Sequence, residues 1–207
     1  MALVFYTNPM SRGRIVRWML EEVGAPYETK VLTYGPEMKS PEYLALNPMG
    51  KVPAIVHDGQ VVTEAAAICA YLAFAFPDVG LAPEPAERAD FFRWMFLAAG
   101  PGEAAITNAA FGFELPDSDE ARGRAGYGSL EMVTDALATM LADGRDYICG
   151  ARFTAADVYV GAQIQFGLQF GTLPDRPGFA EYAQRLARRP AALRAVEIDT
   201  ALMPQEG

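Results

Sequence analysis

Asn47-Pro48-Met49-Gly50-Lys51-Val52-Pro53-Ala54-Ile55, followed by Asp58-Gly59 and then by Thr63-Glu64-Ala65-Ala66-Ala67-Ile68, is the stretch on which the fold turns. It reads as a loop, a strand, a two-residue turn, a second strand and the start of a helix. Asp-Gly between two apolar runs is a hairpin signal, because both turn residues must take positive φ. Val52-Pro53 is the unusual element. Proline has no N–H to give to a sheet, so a proline heading an apolar strand marks a turn or a cis bond. A cis bond there would turn the backbone of Val52 outward, freeing its N–H and C=O for an extended, peptide-like ligand. Glu64 falls where a helix N-terminus begins, a favourable place for a ligand carboxylate.

Toward the N-terminus, Leu3-Val4-Phe5-Tyr6 is a short apolar run suited to a buried strand, broken by Thr7-Asn8-Pro9-Met10-Ser11. A helix is predicted over residues 12–23, with Ile15, Val16, Met19, Leu20 and Val23 on its apolar face and Gly24 placed to end it in a left-handed cap. Residues 27–32 have the β-branched character of a strand, and Ser40-Pro41-Glu42 starts a helix with proline at its first position. A helix over residues 64–76 closes the unit. The order βαβ-α-ββα is that of a thioredoxin-like α/β domain, placed at residues 1–77.

The Pro- and Gly-rich run Pro77-Asp78-Val79-Gly80-Leu81-Ala82-Pro83-Glu84-Pro85 marks a linker, set at residues 78–86. Residues 87–207 read as an all-α helical-bundle domain. Its first helix carries Phe91, Phe92, Trp94, Met95 and Phe96, and Gly100-Pro101-Gly102 should kink or interrupt it. Further helices are expected over 119–141 and 153–167, with shorter ones between 178 and 196 broken at Pro190. Thr154-Ala155-Ala156-Asp157 has the form of a capping box, a folding determinant in which threonine and an acid three residues on satisfy each other's backbone donors.

Composition narrows the chemistry. The 207 residues are 51% hydrophobic and 21% charged, as in soluble globular proteins, and carry a net charge of −9. That charge argues against general nucleic-acid binding, which needs a concentrated basic face. An anionic ligand would rely on a local cluster of cations, for which Arg12, Arg14, Arg17, Lys39 and Lys51 are available in the first quarter of the chain. Two cysteines, Cys69 and Cys149, lie far apart, and His57 is the single histidine, which excludes a disulfide framework and a zinc site of the usual type. No apolar run approaches the roughly 18 residues of a membrane helix, and no signal peptide pattern opens the chain. A cytoplasmic location is expected.

Taken together, Val52-Pro53, the Glu64-Ala65 pair and the βαβ-α-ββα order resemble the glutathione site of the cytosolic glutathione transferases, in a bacterial-type form. The Thr154–Asp157 box resembles the one that opens the long buried helix of their helical domain. The resemblance spans nearly the whole chain. It implies a thiol transferase using glutathione as co-substrate, with no metal, acting on a small hydrophobic electrophile and assembling as a homodimer. It also implies site roles. Val52, ahead of Pro53, pairs through its backbone with the cysteinyl part. Glu64 receives the γ-glutamyl ammonium and the Ala65 amide the adjacent carboxylate, while Lys39 and Lys51 face the glycine carboxylate. Most relatives have Ser or Thr where Ala65 stands, so a hydroxyl contact is lost while the amide remains.

A free thiol has a pKa of about 8.5, so the reaction needs a donor aimed at the sulfur, preferably with a helix N-terminus behind it. Ser11 matches the position that serine- or cysteine-using classes employ; by itself it is also an ordinary N-cap residue. Tyr6, at the end of the first strand, is a second candidate, although aromatic packing suits it as well. The amide of Asn8 is a third. Phe111 and Tyr159, with Phe113, Phe166 and Glu103 near them, are candidates for the hydrophobic substrate site, and each suits an ordinary core or surface place equally. Two other functions remain open. A glutathione-dependent reductase or peroxidase would want cysteine at the helix start where Ser11 stands. A non-catalytic glutathione- or ligand-binding protein would need no activating group.

Overall fold

Strand β1, Leu3–Thr7, alternates buried and half-buried residues, so Leu3, Phe5 and Thr7 face one side of the sheet and Val4 and Tyr6 the other. In the computed structural model, which describes residues 2–203, β1 runs parallel to β2, Glu28–Val31, and antiparallel to β3, Ala54–His57. β3 pairs antiparallel with β4, Gln60–Thr63, giving the order β2-β1-β3-β4. The turn between β3 and β4 is Asp58-Gly59, with φ of 46° and 82°, as the hairpin signal predicts.

Helices α1, Gly13–Val23, and α3, Ala65–Ala75, pack together on one face of this sheet. Phe5, Ile15, Met19, Leu20, Ile55, Ile68 and Leu72 are fully buried there, each contributing about 1.5–3 kcal/mol by leaving water. Gly24 ends α1 at φ 71°, its N–H reaching the Leu20 carbonyl at 2.9 Å. Helix α2, Pro41–Leu46, is capped by Ser40, whose Oγ accepts from the Tyr43 N–H at 3.2 Å. A smaller apolar cluster joins Met38, Tyr43 and Ala54 to Tyr6, Leu32, Leu46 and Val52.

The later helices are α4, Arg88–Leu97; α5, Glu103–Ala110; α6, Asp119–Arg124; α7, Leu130–Leu141; α8, Ala155–Phe170; α9, Phe179–Ala187; and α10, Pro190–Ala201. Gly100-Pro101-Gly102 interrupts as expected: a π-helical turn, Ala98–Gly102, separates α4 from α5. The single helix expected over 119–141 is instead two. Gly126 and Gly128 take φ of 69° and 66°, a conformation no right-handed helix contains, and Ser129 then caps α7 by accepting from the Met132 N–H at 3.1 Å. The Thr154–Asp157 capping box opens α8.

The architecture is thus a thioredoxin-like α/β part and a helical part. By contacts the chain forms two compact units, one from the residues up to Ala82 with those from Ala187 on, the other Pro83–Leu186. The last helix therefore differs from the sequence division at 87–207. α10 packs on α1, the most extensive helix pairing in the first unit, because it carries the buried acid that α1 requires. That acid, Asp199, lies with its Oδ1 3.1 Å from Nε of Arg17, and both side chains are 1% exposed.

Candidate functional site

Strand register gathers the candidate residues of the first unit at one end of the sheet. Tyr6 stands opposite Ala54, and Ala54 opposite Thr63. The chain leaving β1 through Asn8 to Ser11, the Val52-Pro53 pair entering β3 and the Glu64-Ala65 pair leaving β4 therefore share that end.

The Val52-Pro53 peptide is cis. The N–H and C=O of Val52 have no hydrogen-bond partner among the described residues. The loop before them is tied down: the Tyr43 hydroxyl and the Asn47 amide donate to the Lys51 carbonyl at 2.6 and 2.7 Å. Gly50 has φ 58°, and a Cβ there would lie 2.6 Å from the Met38 carbonyl oxygen, so only glycine fits. Lys39 uses its ammonium on this loop, donating to the Met49 and Gly50 carbonyls at 2.9 and 3.2 Å. Lys51 is exposed.

Glu64 is exposed and holds φ 69° as the residue preceding α3. A non-glycine residue at such φ costs on the order of 1–3 kcal/mol and persists only where the surroundings impose it. The first bond of α3 runs from the Ile68 N–H to the Glu64 carbonyl at 2.9 Å. The N–H groups of Ala65, Ala66 and Ala67 therefore lie outside the helical ladder and make an anion-binding end. An acidic residue thus directly precedes these amides in the chain, a pairing suited to a zwitterionic amino-acid group.

The start of α1 is equally specific. The Ser11 hydroxyl donates to the Asn8 carbonyl at 2.7 Å and accepts from the Gly13 N–H at 2.9 Å. To donate to a ligand sulfur it must turn away from that carbonyl. Gly13 lies so close to β1 that a Cβ would overlap Thr7 Oγ1. Asn8 is buried and spends its side chain on structure, Nδ2 donating to the Leu32 carbonyl and Oδ1 accepting from the Met10 N–H, both at 2.9 Å. Tyr6 points to the other side of the sheet, its ring 5.6 Å from that of Tyr43 and within 5.6 Å of the Lys30 ammonium. Strand alternation therefore separates it from the start of α1, where Ser11 stands. Arg17 leaves the cation cluster, being buried against Asp199.

In the second unit, Phe111 is 71% exposed and its ring lies 5.9 Å from that of Phe113. Tyr159 is 3% exposed; its ring is core, and its hydroxyl joins Glu103 and Gln163 in a polar cluster. Sequence reading also missed Tyr34, whose hydroxyl reaches the Met10 carbonyl at 3.3 Å, because nothing local in a loop signals that contact. Among the described residues no group of three or more His, Cys, Asp or Glu is placed to hold a metal ion, and no helix is long and apolar enough to cross a membrane.

The profile of the glutathione S-transferase N-terminal domain matches residues 10–74. The chain is 32% identical over 163 residues to glutathione S-transferase GstA of Escherichia coli O157:H7, covering 76% of this chain and 78% of that one. A glutathione transferase structure from Methylococcus capsulatus aligns with a TM-score of 0.77 at 26% identity, covering 97% of this chain and 100% of the other. The glutathione transferase URE2P6 of Phanerochaete chrysosporium, in complex with oxidized glutathione, aligns with a TM-score of 0.78 at 26% identity over 97% of each chain. The chain belongs to the glutathione S-transferase family, and its activity is that of a glutathione transferase.

Proposed function

We propose that this glutathione transferase joins the glutathione thiolate to a small hydrophobic electrophile, with the tripeptide bound in the first unit. The observation that carries the reading is the open backbone of Val52 beside the Glu64 carboxylate and the unladdered amides of α3. The backbone suits the cysteinyl peptide unit, Glu64 the γ-glutamyl ammonium and the Ala65 amide the neighbouring carboxylate. Lys51 meets the glycine carboxylate in this reading, with Lys39 bonded to the preceding loop. The sulfur then lies toward the start of α1, where Ser11 and the helix N-terminus favour its ionised form. A C–S bond forms, the bond to the leaving group breaks, the leaving group departs with its electron pair and the thiol proton passes to water.

Conjugation of a generic aryl halide should fall at least about tenfold in Ser11→Ala, the size of a lost hydrogen bond to a charged sulfur, with the KM for glutathione little changed. An unchanged rate would move the role to another group. Absence of glutathione binding by calorimetry at millimolar ligand would sink the reading itself. The Ser11 hydroxyl, turned to Asn8, favours a second reading, a non-catalytic glutathione-binding relative. Binding without conjugation by any electrophile would establish that one. The proposal includes a cytoplasmic homodimer; light scattering should give twice the 22.4 kDa chain mass, and a monomer mass would refute that part.

A further inference from the structure

Two large apolar side chains stand in solvent beside Ser11, Met10 at 66% and Tyr34 at 59% exposure. The loops that carry them are laced together. Asn8 donates to the Leu32 carbonyl at 2.9 Å, and the Leu32 N–H donates to the Thr7 carbonyl at 2.8 Å. The Met10 N–H is held by Asn8 Oδ1. Beyond Tyr34, Gly35 turns the chain at φ 102°, and Glu37 Oε2 accepts from the Thr33 N–H and hydroxyl at 2.6 and 2.8 Å. Those bonds hold the Glu37 carboxyl below its usual range, the Thr33 N–H contributing most. The Tyr34 hydroxyl closes onto Met10, one residue from Ser11. A scattered exposed aromatic would need none of this support; a ring held out to solvent by a braced loop at a site's edge is a contact surface.

We propose that Tyr34, with Met10 beside it, determines substrate specificity by stacking the ring of an electron-poor aryl electrophile during attack by the thiolate. This rests on the reading that places the glutathione sulfur at the start of α1. The face of a phenol ring is electron-rich and complements a ring stripped of electrons by nitro or halogen groups. The Met10 thioether adds polarisable contact at the ring edge. An alkyl halide offers no such face. In the favoured reaction the sulfur bonds to the ring carbon bearing a halogen, the carbon–halogen bond breaks, halide leaves with its electron pair and the thiol proton goes to water.

Calorimetry with dinitrophenyl-glutathione and S-methylglutathione isolates the ring's contribution, because the two ligands differ only in the group on sulfur. Tyr34→Ala should weaken the dinitrophenyl conjugate by about two- to tenfold, the range of one aromatic pair, while the methyl conjugate and glutathione keep their affinities. Tyr34→Phe should retain the aryl preference. In turnover, the KM for a chlorodinitrobenzene should rise in Tyr34→Ala and that for an alkyl iodide should not. Unchanged affinity for the dinitrophenyl conjugate in Tyr34→Ala overturns the assignment. So does equal weakening of both conjugates, which would mark a disturbed loop and not a lost ring. A wild-type protein that fails to bind glutathione removes the underlying function as well, an outcome distinct from loss of the aryl increment alone.

Discussion

Asp157→Ala should destabilise the second unit by about 3–5 kcal/mol, the cost of breaking a buried charged network, and little folded protein should be recovered. Asp157 is 0% exposed. Its Oδ1 accepts from the Ile148 N–H at 2.7 Å and the Tyr182 hydroxyl at 2.8 Å. Its Oδ2 accepts from the Thr154 N–H at 2.8 Å and the Thr154 hydroxyl at 3.1 Å. One carboxyl therefore joins the loop before α8, the start of α8 and helix α9. Truncation strands all these donors in a dry interior, where each unmade bond costs about 1–3 kcal/mol. Asp157→Asn preserves the shape but turns an NH2 group toward donors, so it should fall between. Thermal unfolding followed by circular dichroism measures both; an alanine variant melting within a few degrees of wild type would contradict the account.

The same residue carries a pH signature. Burial pushes the Asp157 carboxyl up to about 6 against its hydrogen bonds, which act in the opposite direction. A folded value above the unfolded one means that folding favours the protonated form. This contribution to stability is complete below the ordinary carboxylate value near 3.8 and is lost as pH rises through 6. A falling component of stability between those values, absent from Asp157→Asn, is the expected result.

Asp199→Ala should cost a comparable 3–5 kcal/mol, this time in the first unit, because it leaves the Arg17 guanidinium buried without its counter-charge. Arg17 also donates to the Tyr27 hydroxyl at 3.0 Å and to Thr29 Oγ1 at 2.7 Å, and lies 4.9 Å from the centre of the Phe5 ring. Those contacts hold α1 against β2 but cannot neutralise it. The pair is itself imperfect: among the described residues Arg17 Nη2 and Asp199 Oδ2 are buried without partners, and burial raises the Asp199 carboxyl despite the neighbouring cation. Replacing both residues, as Arg17→Met with Asp199→Leu, should therefore recover most of the loss. Urea denaturation of the single and double variants tests this; a double variant no better than Asp199→Ala would show that the ion pair contributes more than charge compensation.

Features of the site that depend on neighbours in sequence were readable in advance. The Asp58-Gly59 turn, the Gly24 cap and the Thr154–Asp157 box each follow from two or three adjacent residues whose backbone chemistry permits few alternatives. The break between α6 and α7 was missed because Gly126 and Gly128 are tolerated inside an apolar periodicity, and periodicity does not report φ. Tyr6 and Ser11 both suited thiol activation on spacing alone. Only the sheet, with Phe5 and Thr7 facing α1, sends Tyr6 to the side of α2. Lys39 suits a ligand contact in sequence, and only the fold shows its ammonium donating to the carbonyls of Met49 and Gly50.

By itself the sequence determined the order of strands and helices through α3, the hairpin, the caps and the likeness of residues 47–68 to a glutathione site, because periodicity and turn chemistry act over a few residues. Tertiary structure decided that α10 belongs with α1, that Arg17 is a core ion and not a ligand cation, and that Tyr159 is buried while Tyr34 is presented. Those outcomes join residues as much as 182 positions apart. Burial and charge pairing, which set their roles, exist only once the chain has closed on itself.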